Sequence, residues 1–186
     1  MKKMLVIVSA LLLLNCPYIY ANKTPTFTNN LGGMPISCSV YEKQVAVNGI
    51  ATGYTMEMVR AVLGTPDYVS SKNPLSYSYN GMSIKFVDFG GFGTPIAYDI
   101  SVWKDGMTFD GIKIGMPESE LTRVYGSADN VHIEKNIAPK LNESQNQKYI
   151  DRLDKTVYIY NANACLNMAF VVKSGIIKEI HIHLSD

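Results

Sequence analysis

The chain has 186 residues, 47% of them hydrophobic and 18% charged, with a formal net charge of +1. That length holds one or two small domains with a real core, and the apolar fraction excludes a disordered or low-complexity protein. The near-zero charge argues against nucleic-acid binding, which draws on a basic surface to displace counterions from phosphates.

Met1-Lys2-Lys3 is a short basic start, and residues 4–14 form an apolar run too short to span a bilayer comfortably. Ala21 offers a small residue before a cut ahead of Asn22, so residues 1–21 read first as a cleaved signal peptide. A lipoprotein signal with lipidated Cys16 is the alternative, although Asn15 sits where a small residue is wanted; an uncleaved anchor comes third. All three place the rest of the chain outside the cytoplasm. The membrane is expected to be met only through this segment or a lipid on Cys16. Residues 1–21 hold Lys2 and Lys3 and no acid, so the remainder carries 15 basic against 16 acidic residues. Such a balance steers no charged partner over distance.

Residues 22–35 are expected to form a flexible N-terminal segment. Beyond them the chain repeats itself at an offset of 62. Ser39-Val40 matches Ser101-Val102, with Tyr41 against Trp103; Gly49-Ile50 matches Gly111-Ile112, and Gly53 matches Gly115. Val62, Gly64, Asp67 and Val69 fall on Val124, Gly126, Asp129 and Val131. Coincident glycines carry weight because each fixes a backbone conformation. Tyr77-Ser78-Tyr79-Asn80 resembles Tyr158-Ile159-Tyr160-Asn161 once an insertion of about 19 residues is allowed. The expectation is a tandem duplication, with a first αβ repeat over 36–103 and a second over 104–186 that carries an inserted loop at 132–155.

Within the first unit, 38–47 is expected to be a strand. Thr55 then caps a helix with Met58, Val59, Val62 and Leu63 at helical spacing, and Gly64 stops it. Strands at 75–79, 83–87 and 96–103 follow, punctuated by Asn80-Gly81 and Gly90-Gly91. In the second unit Pro117 suits a first helical turn, Glu118 and Glu120 complement its positive end, and Leu121, Val124 and Tyr125 form the apolar stripe before Gly126. Strands at 156–161, 166–172 and 176–184 complete the unit. Neither helix is long enough to stand alone, so each must lie on a sheet. The fold class expected is α+β, with two tandem helix-plus-antiparallel-sheet repeats and the helices on one face of the sheet.

The segment Gly53-Tyr54-Thr55, Val59 and Leu63-Gly64-Thr65-Pro66, followed by the Tyr77/Tyr79 strand, resembles the BamE/SmpA/OmlA outer-membrane lipoprotein family. Doubling of such a unit also resembles the architecture of the β-lactamase inhibitor protein. The resemblance implies an exported binding or assembly module without naming its target. In the second unit the motif has changed, with Ala128 at the position of Pro66 and Pro117 at that of Thr55.

Candidate site residues fall into four groups. Tyr77, Tyr79, Tyr158 and Tyr160, with Trp103 beside Asp99 and Ser101, form either an open aromatic binding surface or a partly buried seam between the repeats. Alternation in 156–161 suggests Val157 and Ile159 for the core and Tyr158 and Tyr160 for the open side, whereas Ser76 and Ser78 suggest the opposite for the first unit, so one unit must break the pattern. Phe89 and Phe92 ride a glycine-rich hairpin tip and either insert into a partner or fold back on the sheet. Cys38 and Cys165 form either a disulfide or two buried thiols. His181 and His183 share one face of a strand, and His132 could be a third ligand; a solvated face is the simpler reading, and no metal is expected. The inserted loop reads as tolerated surface.

Signatures of hydrolases, metalloproteases and nucleotide-binding loops are absent from the sequence. The expected function is therefore an exported, non-enzymatic, protein-binding module, inhibitor-like in its use of sheet face and loops, with no cofactor and a protein partner of unknown identity. The alternative is an envelope-assembly or structural accessory lipoprotein.

Overall fold

A computed structural model describes residues 38–72, 74–91, 93–134 and 155–184. The expected signal peptide (1–21) and N-terminal segment (22–35), Cys16, Phe92 and positions 135–154 of the expected insertion lie outside the described residues.

Where one strand over 38–47 was expected, the chain makes a 3-10 turn at Glu42–Gln44 and then a small hairpin of β1 (Ala46–Val47) and β2 (Ile50–Ala51). The cause is Gln44. Its Oε1 accepts from the Tyr41 amide at 2.7 Å and its Nε2 donates to Asp110 at 2.8 Å, so a side chain takes the backbone group a strand would have paired.

Helix α1 (Met56–Leu63) starts as its cap dictates, with the Met58 amide donating to Thr55 Oγ1 at 3.3 Å. Its buried face is narrower than the spacing implied. Val59 is buried and Leu63 packs on the core, whereas Met58 and Val62 are 46% and 52% exposed. Helix α2 (Ser119–Tyr125) buries Leu121 and Tyr125. The two helices end alike, at Gly64 (φ 80°, ψ −157°) and Gly126 (φ 77°, ψ −154°), a backbone region open essentially to glycine alone.

The strands are β3 (Tyr68–Ser70), β4 (Leu75–Tyr79), β5 (Met82–Val87), β6 (Ile96–Val102), β7 (Asn130–Glu134), β8 (Lys155–Asn161), β9 (Leu166–Lys173) and β10 (Ile176–Leu184). They form one antiparallel sheet in the order β3-β4-β5-β6-β10-β9-β8-β7. This overturns the expected fold of two helix-plus-sheet repeats. Of the described residues, strand accounts for 47% and helix for 14%, and one eight-stranded sheet draws on both expected units. The joint is β6 with β10, where Val102, Ser101, Ile100 and Asp99 face Ile180, His181, Ile182 and His183. Two separate sheets would leave both strands with unpaired edges; pairing them satisfies those backbone groups.

Alternation along the strands builds one core on one face. Ile84 and Phe86 of β5, Ile100 and Val102 of β6, Met168 and Phe170 of β9, and Ile180 and Ile182 of β10 are all buried there with Val59, Leu121 and Tyr125 of the helices. Aromatic rings fill its two ends. Tyr77 meets Phe86 at 4.9 Å, and Tyr125, Tyr160 and Phe170 form a mutual cluster at 5.3–5.9 Å.

Candidate functional site

The residues between those core positions point to the other face, which neither described helix covers. In β10 these are Glu179, His181 and His183; in β6, Asp99 and Ser101; in β5, Ser83 and Lys85. Register then aligns them in rows. Ser83 faces Ser101, which faces His181; Lys85 faces Asp99, which faces His183. Cross-strand neighbours on one face lie close enough for side chains to bond.

They do bond. Lys85 Nζ reaches Asp99 Oδ2 at 3.1 Å, and His183 Nδ1 stands 3.8 Å from the same oxygen. Ser101 Oγ lies 3.0 Å from His181 Nδ1 and 3.4 Å from Asp99 Oδ1, and His181 Nε2 lies 2.9 Å from Glu179 Oε2. A carboxylate accepts only, so Nε2 donates to Glu179, and the single proton of the Ser101 hydroxyl goes to only one of Asp99 Oδ1 and His181 Nδ1 at a time. Ser101, His181 and Glu179 thus form a hydroxyl–imidazole–carboxylate row in which Asp99 competes for the hydroxyl proton. A register shift between Lys85 and Phe86 leaves Tyr98 without a partner on β5, and its ring meets those of His183 at 6.2 Å and Phe89 at 6.5 Å.

Next to this polar group the same face is apolar. Ala169 faces His181 across β9 and β10, and Ile159 faces Ala169 across β8 and β9. Val157, Ile159 and Ala169 therefore share the face with His181. Of the two conflicting indications, the one from Ser76 and Ser78 holds, and it is the second unit, with Val157 and Ile159 outside the core, that breaks the pattern.

The tyrosines lie on the opposite side. Tyr77 and Tyr160 are fully buried, so neither belongs to an open aromatic surface. Tyr79 and Tyr158 are half-buried on the same side, where Tyr79 Oη donates to the Gly64 carbonyl at 3.3 Å and Tyr158 Oη to Glu118 at 3.2 Å. Tyr160 Oη likewise donates to the Gly126 carbonyl at 3.4 Å. The physical reason is the helix ends. Each helix leaves carbonyls without intrahelical partners, and phenols reaching up from the sheet satisfy them. Burial raises the phenol pKa of Tyr160 above the ordinary range, with Tyr158 and Asp129 adding to it, and burial also raises that of Tyr158, with Glu118 adding.

Trp103 is 51% exposed just past the end of β6, with its amide donating to the Gly81 carbonyl. Phe89 folds back onto Tyr98. Cys38 and Cys165 are thiols, and burial followed by the charge of Asp129 raises the Cys38 pKa, which makes it a poor nucleophile. His132 sits on β7, three strands from β10, roughly 14 Å at ordinary strand spacing, so it does not join His181 and His183. Among the described residues no group of three or more His, Cys, Asp or Glu converges on a metal position. The chain Ser101–His181–Glu179 was missed in the sequence because it depends on which strand pairs with β6; the alternation of His181 and His183 was its one visible trace.

Comparison with known proteins finds no matching family, no matching curated protein and no matching solved structure. The resemblances noted in the sequence thus rest on the motif residues themselves.

Proposed function

We propose that the protein is an exported, non-enzymatic binding module that takes a protein partner on the sheet face opposite its helices. The observation that carries this reading is the composition of that face. A hydrogen-bonded polar group from β5, β6 and β10 adjoins an apolar strip of Val157, Ile159 and Ala169, and recognition surfaces combine these in the same way. Exposed Trp103 at the margin supplies an aromatic anchor of the kind that dominates binding energy. The basic start and apolar run of residues 1–14 support an extracytoplasmic setting.

The test is site-specific photo-crosslinking in the native cell. A benzophenone amino acid at Lys85 or Ile159 is expected to capture the same partner, and one at Met58 on the helix side to capture none. Adducts from Met58 alone, or none from Lys85 and Ile159, would remove the reading.

One observation favours a second reading. Ser101, His181 and Glu179 have the order of hydrogen bonds that activates serine nucleophiles. Fluorophosphonate labelling of Ser101 that disappears in His181→Gln would move the function to acyl transfer, and an unlabelled Ser101 removes it.

A further inference from the structure

On the helix side of the sheet, a cavity of about 400 Å³ opens where the first turn of α1 meets β4 and the 93–95 segment. Thr55, Met56, Glu57, Arg60 and Tyr77 line it, with Pro95 closing one side. That volume falls within the ordinary range of small-molecule sites, about 300–1,000 Å³.

Three observations converge on it. Tyr77 is fully buried and its hydroxyl has no hydrogen-bond partner, an arrangement that is costly and uncommon in a settled core. The Arg60 guanidinium lies 5.0 Å from the centre of the Tyr77 ring, and among the described residues no carboxylate pairs with it. Glu57, one turn earlier on the same helix, also lines the cavity and has no cation paired with it among the described residues. Glu57 and Arg60, both exposed, thus border the same cavity without being spent on each other, beside the Tyr77 ring. The neighbouring walls, Met56, Pro95 and the Tyr77 ring, are apolar.

The geometry points to a binding site for a free α-amino acid with an apolar side chain. Its carboxylate goes to Arg60, whose planar fork suits that group and lies over the Tyr77 ring. Its ammonium goes to Glu57, and its side chain lies against Met56 and Pro95. This site is on the other side of the sheet from the proposed partner face and stands independently of it.

Calorimetric titration of the full chain with L-phenylalanine and L-leucine tests it, with 3-phenylpropionate and phenethylamine as probes lacking one charge each. We expect at least one of the two amino acids to bind, and each single-charge probe to bind about tenfold more weakly or less. Arg60→Ala, at an exposed position, should abolish binding. Glu57→Gln should bring the amino acid down to the level of 3-phenylpropionate. Tyr77→Phe separates site from fold. Removing an orphaned, inaccessible hydroxyl should raise the melting temperature of the unliganded protein while leaving amino-acid binding within about twofold of wild type. Absence of binding by both amino acids at millimolar concentration, or equal binding by Arg60→Ala, would overturn the assignment.

Discussion

Tyr125→Phe should give a stability difference that depends on pH in a stated way. The Tyr125 hydroxyl lies 2.8 Å from Thr108 Oγ1 in the core, and that oxygen also accepts from the Ile112 amide at 3.1 Å. Burial raises the Tyr125 pKa far above its ordinary value; the bond with Thr108 pulls it back slightly and the Asp110 carboxylate raises it again. At neutral pH the variant loses the hydroxyl's hydrogen bonds to Thr108 and to the Asp110 carboxylate, about 1–3 kcal/mol. At high pH this advantage of the wild type shrinks. A phenol whose folded pKa exceeds its unfolded value near 10 contributes stability fully below pH 10 and loses it above, because the unfolded chain gives up its proton first. By pH 11 that loss is about 1.4 kcal/mol for one tyrosine, and the phenylalanine variant does not suffer it. Urea unfolding followed by circular dichroism at pH 7, 9, 10 and 11 should therefore show wild type ahead at pH 7 and its lead about 1.4 kcal/mol smaller at pH 11. A gap of constant size across that range would refute the buried-phenol argument.

Other perturbations follow from the same packing. Gly64→Ala and Gly126→Ala should each cost about 1–3 kcal/mol in thermal unfolding, since both positions hold a positive φ with extended ψ. Tyr160→Ala should cost about 3–5 kcal/mol through the cavity it leaves beside Tyr125 and Phe170, while Trp103→Ala should stay within about 0.5 kcal/mol of wild type. Asp129→Ala strips an acceptor shared by the Ser39 and Asn161 amides, at 3.2 and 2.7 Å; faster amide hydrogen exchange at those two residues is the expected readout.

Local structure was largely legible in the sequence, whereas the sheet that joins it was not. Thr55 and Gly64 bound α1 where capping chemistry places them, and β10 alternates as Ile180, Ile182 and His181, His183 imply. Periodicity assigns a residue to a face but names no neighbouring strand, so the pairing of β6 with β10 across about 80 residues left no local trace. With that pairing went the distinction between two repeats and one sheet, and the meeting of Ser101 with His181. β3 and β7 were overlooked because they are short sheet edges; every residue of β7 is exposed, so no buried face marks its sequence. β8 misled for a different reason. Val157, Tyr158, Ile159 and Tyr160 are apolar on both faces, and only the cluster with Tyr125 and Phe170 and the bond to the Gly126 carbonyl draw Tyr160 inward. The polar cluster on the open face shows no metal-ligand or catalytic spacing in sequence, because its members come from three strands.

The most direct measurement is diethyl pyrocarbonate modification of the native protein, read residue by residue in the mass spectrometer. His132, exposed on edge strand β7, is the internal reference, and the side chains of His181 and His183 are 35% and 44% exposed. An uncovered sheet face predicts that both are modified in the folded state, His183 ahead of His181, and protected when the partner captured from Lys85 is bound. Modification of His132 with His181 and His183 untouched until the protein unfolds would show that the face is covered, and would contradict its use as a docking surface.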